Sequence, residues 1–308
     1  MSPHSKGPRR IAIAGASGFV GSALARHLES MGHAVVRIGR REDPRHHNIK
    51  WDPSNGVIDV KPLEGVRIVI NLCGENTGER RWTQEWKQKL IDSRVVTTDL
   101  LARTMAKLDP HPRVLVNMSA IGFYGDRGDE EIDEESAGGH GFLAELVRRW
   151  EAAADPAREA GIRVVHPRTS PVLHPAGGML EKLLPYVKLG GGAVIGHGQQ
   201  WVSWISRSDV IRALSWVSLH ESLTGPLLVS SPSPVRNDEF MRTVAKALHR
   251  PTLIHVPEFA VKMMFGEMGE ETVLSGQKIM PRQLIDSGFE FDHPTLTEAL
   301  KYEMRSVS

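Results

Sequence analysis

Apolar positions in the first 170 residues follow two alternating spacings. Residues 11–14 form a short unbroken apolar run ending at Gly15, the pattern of a strand buried on both faces. Over 18–31 the apolar residues Phe19, Val20, Ala23, Leu24 and Leu28 recur at helical spacing, and Gly32 closes the helix. Residues 34–38, 67–72, 114–118 and 163–166 read as further buried strands. Between them lie two long helical stretches: 85–108, with Leu90, Val95, Leu100, Leu101 and Met105 at apolar positions, and 142–160. Strands alternating with helices at this spacing predict an α/β fold with a Rossmann-type doubly wound parallel sheet.

Beyond about Ser170 the pattern changes. Gly190, Gly191, Gly192, Gly196 and Gly198 predict a flexible loop region without a regular element. A helix follows over 209–219, and Pro226, Pro232 and Pro234 then divide the chain into short strands and turns. From Asn237 there are two helical patches and a proline-spaced tail. The reading is a larger lobe over 1–170, to which 203–220 returns, and a smaller C-terminal α+β lobe built from 171–202 and 221–308.

Composition narrows the function classes. Lys plus Arg number 38 against 37 Asp plus Glu, a balance without the basic excess of a nucleic-acid binder. The one basic cluster, Lys6, Arg9 and Arg10, reads as a solvated lead-in to the first strand. Cys73 is the only cysteine, which rules out an intrachain disulfide or a cysteine metal cage and fits a reducing, cytoplasmic setting. None of the 14 histidines forms a His-x-x-x-His pair, and the adjacent His46 and His47 do not suit one helix face, so no metal is expected. No apolar stretch reaches the ~18 residues of a membrane span, because Gly15, Gly18 and Gly21 interrupt the run over 11–25.

The first strand leads into Gly15-Ala16-Ser17-Gly18-Phe19-Val20-Gly21, a G-x-x-G-x-x-G variant of the dinucleotide fingerprint. Its early glycines allow a tight turn and close approach to a pyrophosphate, and the helix N-terminus supplies unpaired N–H groups and positive potential. A later glycine lets the helix lie against the strand. The second strand ends in Gly39, Arg40 and Arg41, with no acid before Glu42. A carboxylate there would repel a 2′-phosphate, whereas guanidinium clamps it, so the predicted cofactor is NADP.

Several spaced motifs resemble the extended short-chain dehydrogenase/reductase superfamily, and more closely its atypical branch of epimerase family proteins. They are GASGFVG, Asn71 through Asn76, Arg81-Trp82 with Ser93-Arg94, SAIGFYG from Ser119, Trp150-Glu151-Ala152-Ala153, Gly198-Gln199 through Ser203-Trp204-Ile205 to Asp209, and Gly276-Gln277, Pro281 and Gly288-Phe289. The resemblance spans nearly the whole chain and implies a Rossmann lobe with a small substrate lobe. It implies that Leu72, Cys73 and Gly74 lie beside the adenine or ribose, and that Arg94 and Val172 line the cofactor further along. The bottom-up reading of Cys73 is inert packing.

The superfamily's chemistry uses a Tyr-x-x-x-Lys pair with a serine and an asparagine, the tyrosine moving the proton. Aligned on Trp150-Glu151, the tyrosine place falls on Leu143, the lysine place on Val147 and the asparagine place on Arg94. Ser119 stands five residues before Tyr124, so a strict count puts Ala120 in the serine's place. Tyr124 is the surrogate acid and Ser119 the orienting hydroxyl in this reading, with wall-lining as the plainer role for Tyr124. Glu75 and Asn76, and Gln199 and Trp204 in the second lobe, are expected at the substrate, and Trp82 and Trp86 are expected in core packing. Three functions follow. One is an NADP(H)-dependent oxidoreductase or epimerase on an unknown small molecule, with a nucleotide sugar as one candidate. Another is a non-catalytic NADP(H)-binding sensor or partner-binding protein. The third is a dehydratase or reductase using Arg94. A homodimer through the helices of 85–108 and 142–160 is the family expectation.

Overall fold

The computed structural model describes residues 7–41, 48–190 and 192–305; Lys6, Glu42, His46, His47 and Gly191 lie outside the described residues. Nine strands form the central sheet: β1 (Arg10–Ala14), β2 (Ala34–Gly39), β3 (Asn48–Asp52), β4 (Val57–Ile58), β5 (Ile68–Asn71), β6 (Val114–Asn117), β7 (Ser119–Ala120), β9 (Arg163–Thr169) and β14 (Gly225–Val229). Their order is β14-β9-β6-β5-β1-β2-β3-β4, with β7 beside β9. Every pairing is parallel except β3 with β4. The chain leaves β1 toward β2 and later returns to β1's other side as β5. The strand order therefore reverses there, which opens a crevice at the carboxyl ends of the strands.

Alternating side chains split the core into two layers. Ile11, Ile13, Ile68, Ile70, Val114, Val116 and Val165 pack under helices α1 (Phe19–Ser30) and α6 (Arg207–Leu219). Ala12, Ala14, Val36, Ile38, Val69, Leu115 and Val164 face α2 (Gln84–Met105) and α4 (Asp155–Glu159). Strands buried on both faces carry continuous apolar runs for this reason.

Three expectations are corrected. The stretch 142–160 is two helices, α3 (Phe142–Ala152) and α4, because Pro156 takes the first turn of a new helix, where its missing N–H costs nothing. The segment 225–229, assigned to the smaller lobe, is β14 at the sheet's edge, and Leu284 of α10 (Arg282–Asp286) with Phe289 joins the same core layer. The glycine-rich region after Gly190 contains a regular strand, β11 (Gly192–Ile195). It pairs with β16 (Thr252–Val256). Strands β3 and β4 were not anticipated.

The second lobe packs α5 (Gly178–Lys188), α7 (Asn237–Ala247) and α11 (Leu296–Arg305) around Leu173, Leu180, Trp204, Phe240 and Leu300. Short pairs complete it: β10 (Val172–His174) with β13 (Ile205–Ser206), and β12 (Trp201–Val202) with β15 (Val235–Arg236). A further pair joins β8 (Glu131–Ile132) to β17 (Lys278–Ile279). Helices α8 (Glu258–Phe265) and α9 (Glu267–Thr272) meet α2 and α3 through Phe265, Met268, Trp82, Trp86 and Phe142. Among the described residues no helix is long and apolar enough to cross a membrane.

Candidate functional site

The glycine-rich loop sits at the carboxyl end of β1, inside the crevice. Gly15 has φ +79°, and a Cβ there would lie 3.0 Å from the Leu72 carbonyl carbon and oxygen. At Gly21 a Cβ would come within 2.2 Å of the Gly15 carbonyl oxygen, so the helix rests directly on the loop. The Gly18 N–H donates to the Gly15 carbonyl at 3.0 Å and closes the turn. No side chain caps α1 and no acid stands in its first turn, which leaves its positive end available to an anion. Ser17 and Gly18 are exposed, and Val20 is half-buried.

Phe19 has a role that the spacing did not announce. Its ring lies where a Cβ on Gly177 would be, 2.3 Å away, with the His174 ring 5.5 Å off and the Arg207 guanidinium 5.2 Å above. Val172 belongs to the same corner, its carbonyl oxygen 2.2 Å from a Cβ built on Gly178. The first turn of α1 is thus held by the second lobe. A signal was present in the Gly177-Gly178 pair, which lets the ring approach the backbone.

Gly39 ends β2, and Arg40 and Arg41, which follow it, are both exposed. Among the described residues neither guanidinium makes an ion pair. On the other side of β1, Leu72 donates its N–H to the Ala14 carbonyl at 3.0 Å. Burial pushes the Cys73 thiol up to about 12, against the pull of nearby Arg40. It is a protonated, unreactive thiol at neutral pH. Asn71 ties the strand ends together, donating to Asn117 Oδ1 at 2.8 Å and Thr98 Oγ1 at 3.0 Å while accepting from the Cys73 N–H.

Arg94 differs from its expected part. Its guanidinium donates to the carbonyls of Leu90 at 3.1 Å and Glu75 at 2.8 Å, and lies 5.1 Å from the Trp150 ring centre. A Cβ on Gly74 would come 3.1 Å from its Cζ. Burial lowers Arg94 to about 10, which leaves it charged at neutral pH. It therefore props the 72–76 loop from beneath, its donors taken up by two main-chain carbonyls and the Ser93 hydroxyl. Glu75 faces Lys89 at 3.5 Å, and Asn76 accepts the Gly78 N–H at 3.0 Å in a local turn. Lys182 of α5 donates to the Gly78 carbonyl, which closes this side of the crevice against the second lobe.

The proposed chemistry residues are sealed. Tyr124 has no exposed surface and packs with Ile121, Ile132, Leu228 and Ile279. Its hydroxyl accepts from Arg168 Nη1 at 2.9 Å, and burial raises its pKa despite that cation. Tyr124 is therefore corrected from a cleft-facing acid to a core residue of this arrangement. Ser119 is 2 % exposed and donates to Glu151 Oε1 at 2.6 Å. Glu151 in turn holds Arg168 bidentately, at 2.9 and 2.8 Å. Burial works to raise the Glu151 carboxyl, but the hydrogen bond and charge of Arg168 outweigh it and hold the group below its ordinary value. Sequence reasoning missed Arg168, a charged residue in the buried carboxyl-terminal half of β9, beyond the 163–166 run that was read as the strand.

At the superfamily's tyrosine and lysine places, Val147 is buried and Leu143 packs under Gly122, where a Cβ would come 3.1 Å from its own. Trp204 is also corrected. It is wholly buried in the second lobe's core and donates to the Ser233 carbonyl at 3.1 Å. Gln199 is exposed on the turn before β12, its carbonyl accepting from Arg236. The structure thus gathers Gly15 to Gly21, Leu72 to Gly74, Arg94 and Val172 around one crevice, and leaves Tyr124 and Trp204 out of it.

The NAD dependent epimerase/dehydratase family model matches residues 11–226, and a domain of unknown function, DUF1731, matches residues 256–303. The chain is similar to the epimerase family protein Mb2239 of Mycobacterium bovis, 43% identical over 292 residues, covering 95% of this chain and 96% of that protein. It is also similar to the human epimerase family protein SDR39U1, 33% identical over 95% of this chain and 98% of that protein. Among solved structures it resembles human SDR39U1 (isoform 2) with NADPH, at TM-score 0.87 and 32% identity, covering 96% of this chain and 99% of that one.

Proposed function

Because the chain belongs to the NAD-dependent epimerase/dehydratase family, we propose that its crevice takes NADP(H) and that it acts as an NADP(H)-dependent oxidoreductase or epimerase on a small molecule, a nucleotide sugar being one candidate. The carrying observation is the glycine cradle joined to Arg40 and Arg41, two exposed guanidiniums at the end of β2 without an ion pair among the described residues. Side chains at Gly15 and Gly21 would drive the loop away from the Leu72 backbone and from α1, so the glycines keep the tight turn and close helix packing that a dinucleotide site uses. The human relative crystallised with NADPH supports the choice of nucleotide.

In this reading the α1 N-terminus faces the pyrophosphate, Arg40 and Arg41 face the 2′-phosphate, and the 72–74 loop, held by Arg94, walls the ribose. When bound, the nicotinamide supplies or accepts hydride. The chain's contribution is orientation, a large share of the rate in such transfers. Ser119 of β7 remains the proposed orienting hydroxyl, a role that requires its cover and its hydrogen bond to Glu151 to open when substrate binds. Glu75, Asn76 and Gln199 remain the proposed substrate contacts. Further parts of the reading are a homodimer through α2 and α3 and a cytoplasmic location.

A second reading is an NADP(H) sensor without turnover. It is favoured by Leu143 and Val147 at the acid's place and by the complete burial of Tyr124. Fluorescence titration with NADPH and NADH, for wild type and Arg40→Ala/Arg41→Ala, tests the shared premise. NADPH is expected to bind tighter than NADH, with the preference lost in the double variant. Equal binding of both nucleotides by the wild type would overturn it. Screening sugar nucleotides for a change in nicotinamide absorbance then separates enzyme from sensor.

A further inference from the structure

At the opposite, amino-terminal edge of the same sheet lies a cavity of about 1050 Å³. An arginine stands at the start of each of four neighbouring strands: Arg163 in β9, Arg113 before β6, Arg67 before β5 and Arg9 before β1. All four line the cavity, together with His111 and, as the single carboxylate among the described residues, Glu221. The sheet's own ladder fixes their spacing. Arg163 N–H donates to the Arg113 carbonyl at 3.3 Å, Arg113 N–H to the Arg67 carbonyl at 2.8 Å, and Arg67 N–H to the Arg10 carbonyl at 2.9 Å.

One of these cations has a structural job. Arg163 donates to the carbonyls of Val217, Ser218 and Leu223 and so neutralises the negative end of α6. Arg113 reaches Glu221 only at 3.9 Å, with both groups largely exposed. Arg9 donates its main-chain N–H to His33 Nδ1 at 3.2 Å, and among the described residues the guanidiniums of Arg9 and Arg67 have no ion pair or hydrogen bond. Burial lowers the pKa of Arg163; the Glu221 carboxylate raises it in part, and the like charge of Arg9 lowers it by less.

We propose that this edge is a second anion site, for a small molecule carrying two or more phosphates, separate from the dinucleotide crevice. Four strand starts at a spacing of about 4.8 Å span roughly 14 Å, wider than one phosphate and matched to a short phosphate chain with its sugar. Guanidinium is the side chain best suited to phosphate oxygens. The folded sheet holds the arginines in place beforehand, so little ordering is needed on binding.

The test is calorimetric titration of the NADP⁺-saturated full chain with inorganic pyrophosphate and with ATP, at low and high salt. The wild type is expected to bind one equivalent, more weakly at high salt. Arg67→Ser/Arg113→Ser, two exposed positions, is expected to weaken binding at least about tenfold, a charge-assisted contact being lost at each. NADPH affinity is expected to stay unchanged in that variant, which also shows that it folds. ATP binding tighter than pyrophosphate identifies a nucleotide ligand; equal affinity identifies the phosphates alone. No binding of either probe by the wild type, or undiminished binding by the double variant, overturns the proposal. A chain that fails to bind NADPH but takes pyrophosphate through these arginines refutes the cofactor reading and leaves this one standing.

Discussion

The two sides of the crevice are built on opposite terms. Around β1, β2 and β5 the surface is backbone and open charge: a glycine loop, an uncapped helix end and two exposed arginines. Around β6, β9 and α3 it is closed side chain, with Ser119, Glu151, Arg168 and Tyr124 bonded to one another and apolar residues at the acid and lysine places. Nucleotide binding depends on what the main chain presents, and it survives while side chains around it change. Proton transfer depends on a few side chains, and here Leu143 and Val147 stand at two of the superfamily's places for them.

Arg168→Met is the sharpest way to break the closed side. It leaves a buried carboxylate unpaired, and chemical denaturation should show about 3–5 kcal/mol of destabilisation, with NADPH affinity retained by the surviving fold. The pH response should also change sign. In wild type the depressed Glu151 contributes stability that is present above the ordinary carboxyl value of 4.5 and is lost as pH falls through its folded value. In the variant, burial is opposed only by the Ser119 hydrogen bond and nearby His166, so Glu151 should rise and the protein should gain stability on mild acidification. A variant that keeps the wild-type pH profile would show that the pair carries no such energy.

Gly21→Ala attacks the open side. Its Cβ would overlap the Gly15 carbonyl oxygen at 2.2 Å, so helix and loop must part. The expected result is a stability loss of about 1–3 kcal/mol together with loss of NADPH binding in the fluorescence titration. Retained binding would mean that the loop does not touch the nucleotide. Tyr124→Phe is the mildest change. It removes one buried hydrogen bond to Arg168, worth about 1 kcal/mol, and leaves nucleotide affinity untouched. Should turnover be found, its survival in this variant would clear Tyr124 of the chemistry, whereas its abolition would require the sealed side to open during the reaction.

The contrast also explains what could be read from the residues. The glycine loop was legible because a backbone that must turn and be approached leaves glycine as its trace at Gly15 and Gly21. The cofactor strands were legible as continuous apolar runs. The Glu151–Arg168 pair was not, since its partners come from a helix and a strand, and a glutamate on a helix usually meets water. Tyr124 was recognised by type, but a side chain's burial is decided by segments far away, here Leu228 and Ile279. Strand β14 was misplaced because Pro226 reads as a breaker. It pairs with β9 alone, and an edge strand tolerates proline. Human SDR39U1 and this chain share the fold across nearly their whole lengths, so the same limits apply to reading the human protein.

Helix α3 begins after Gly141, which has no side chain to cap it. The N–H groups of Phe142 and Leu143 instead donate to the Glu271 carboxylate, both at 2.8 Å. Glu271 belongs to the stretch matched by the domain of unknown function. That stretch therefore cannot be treated as a detachable appendix: a chain ended before Val256 would bare two amide donors at the start of a helix in the nucleotide lobe. The boundary between the two family matches is a division of sequence that the folded protein does not observe.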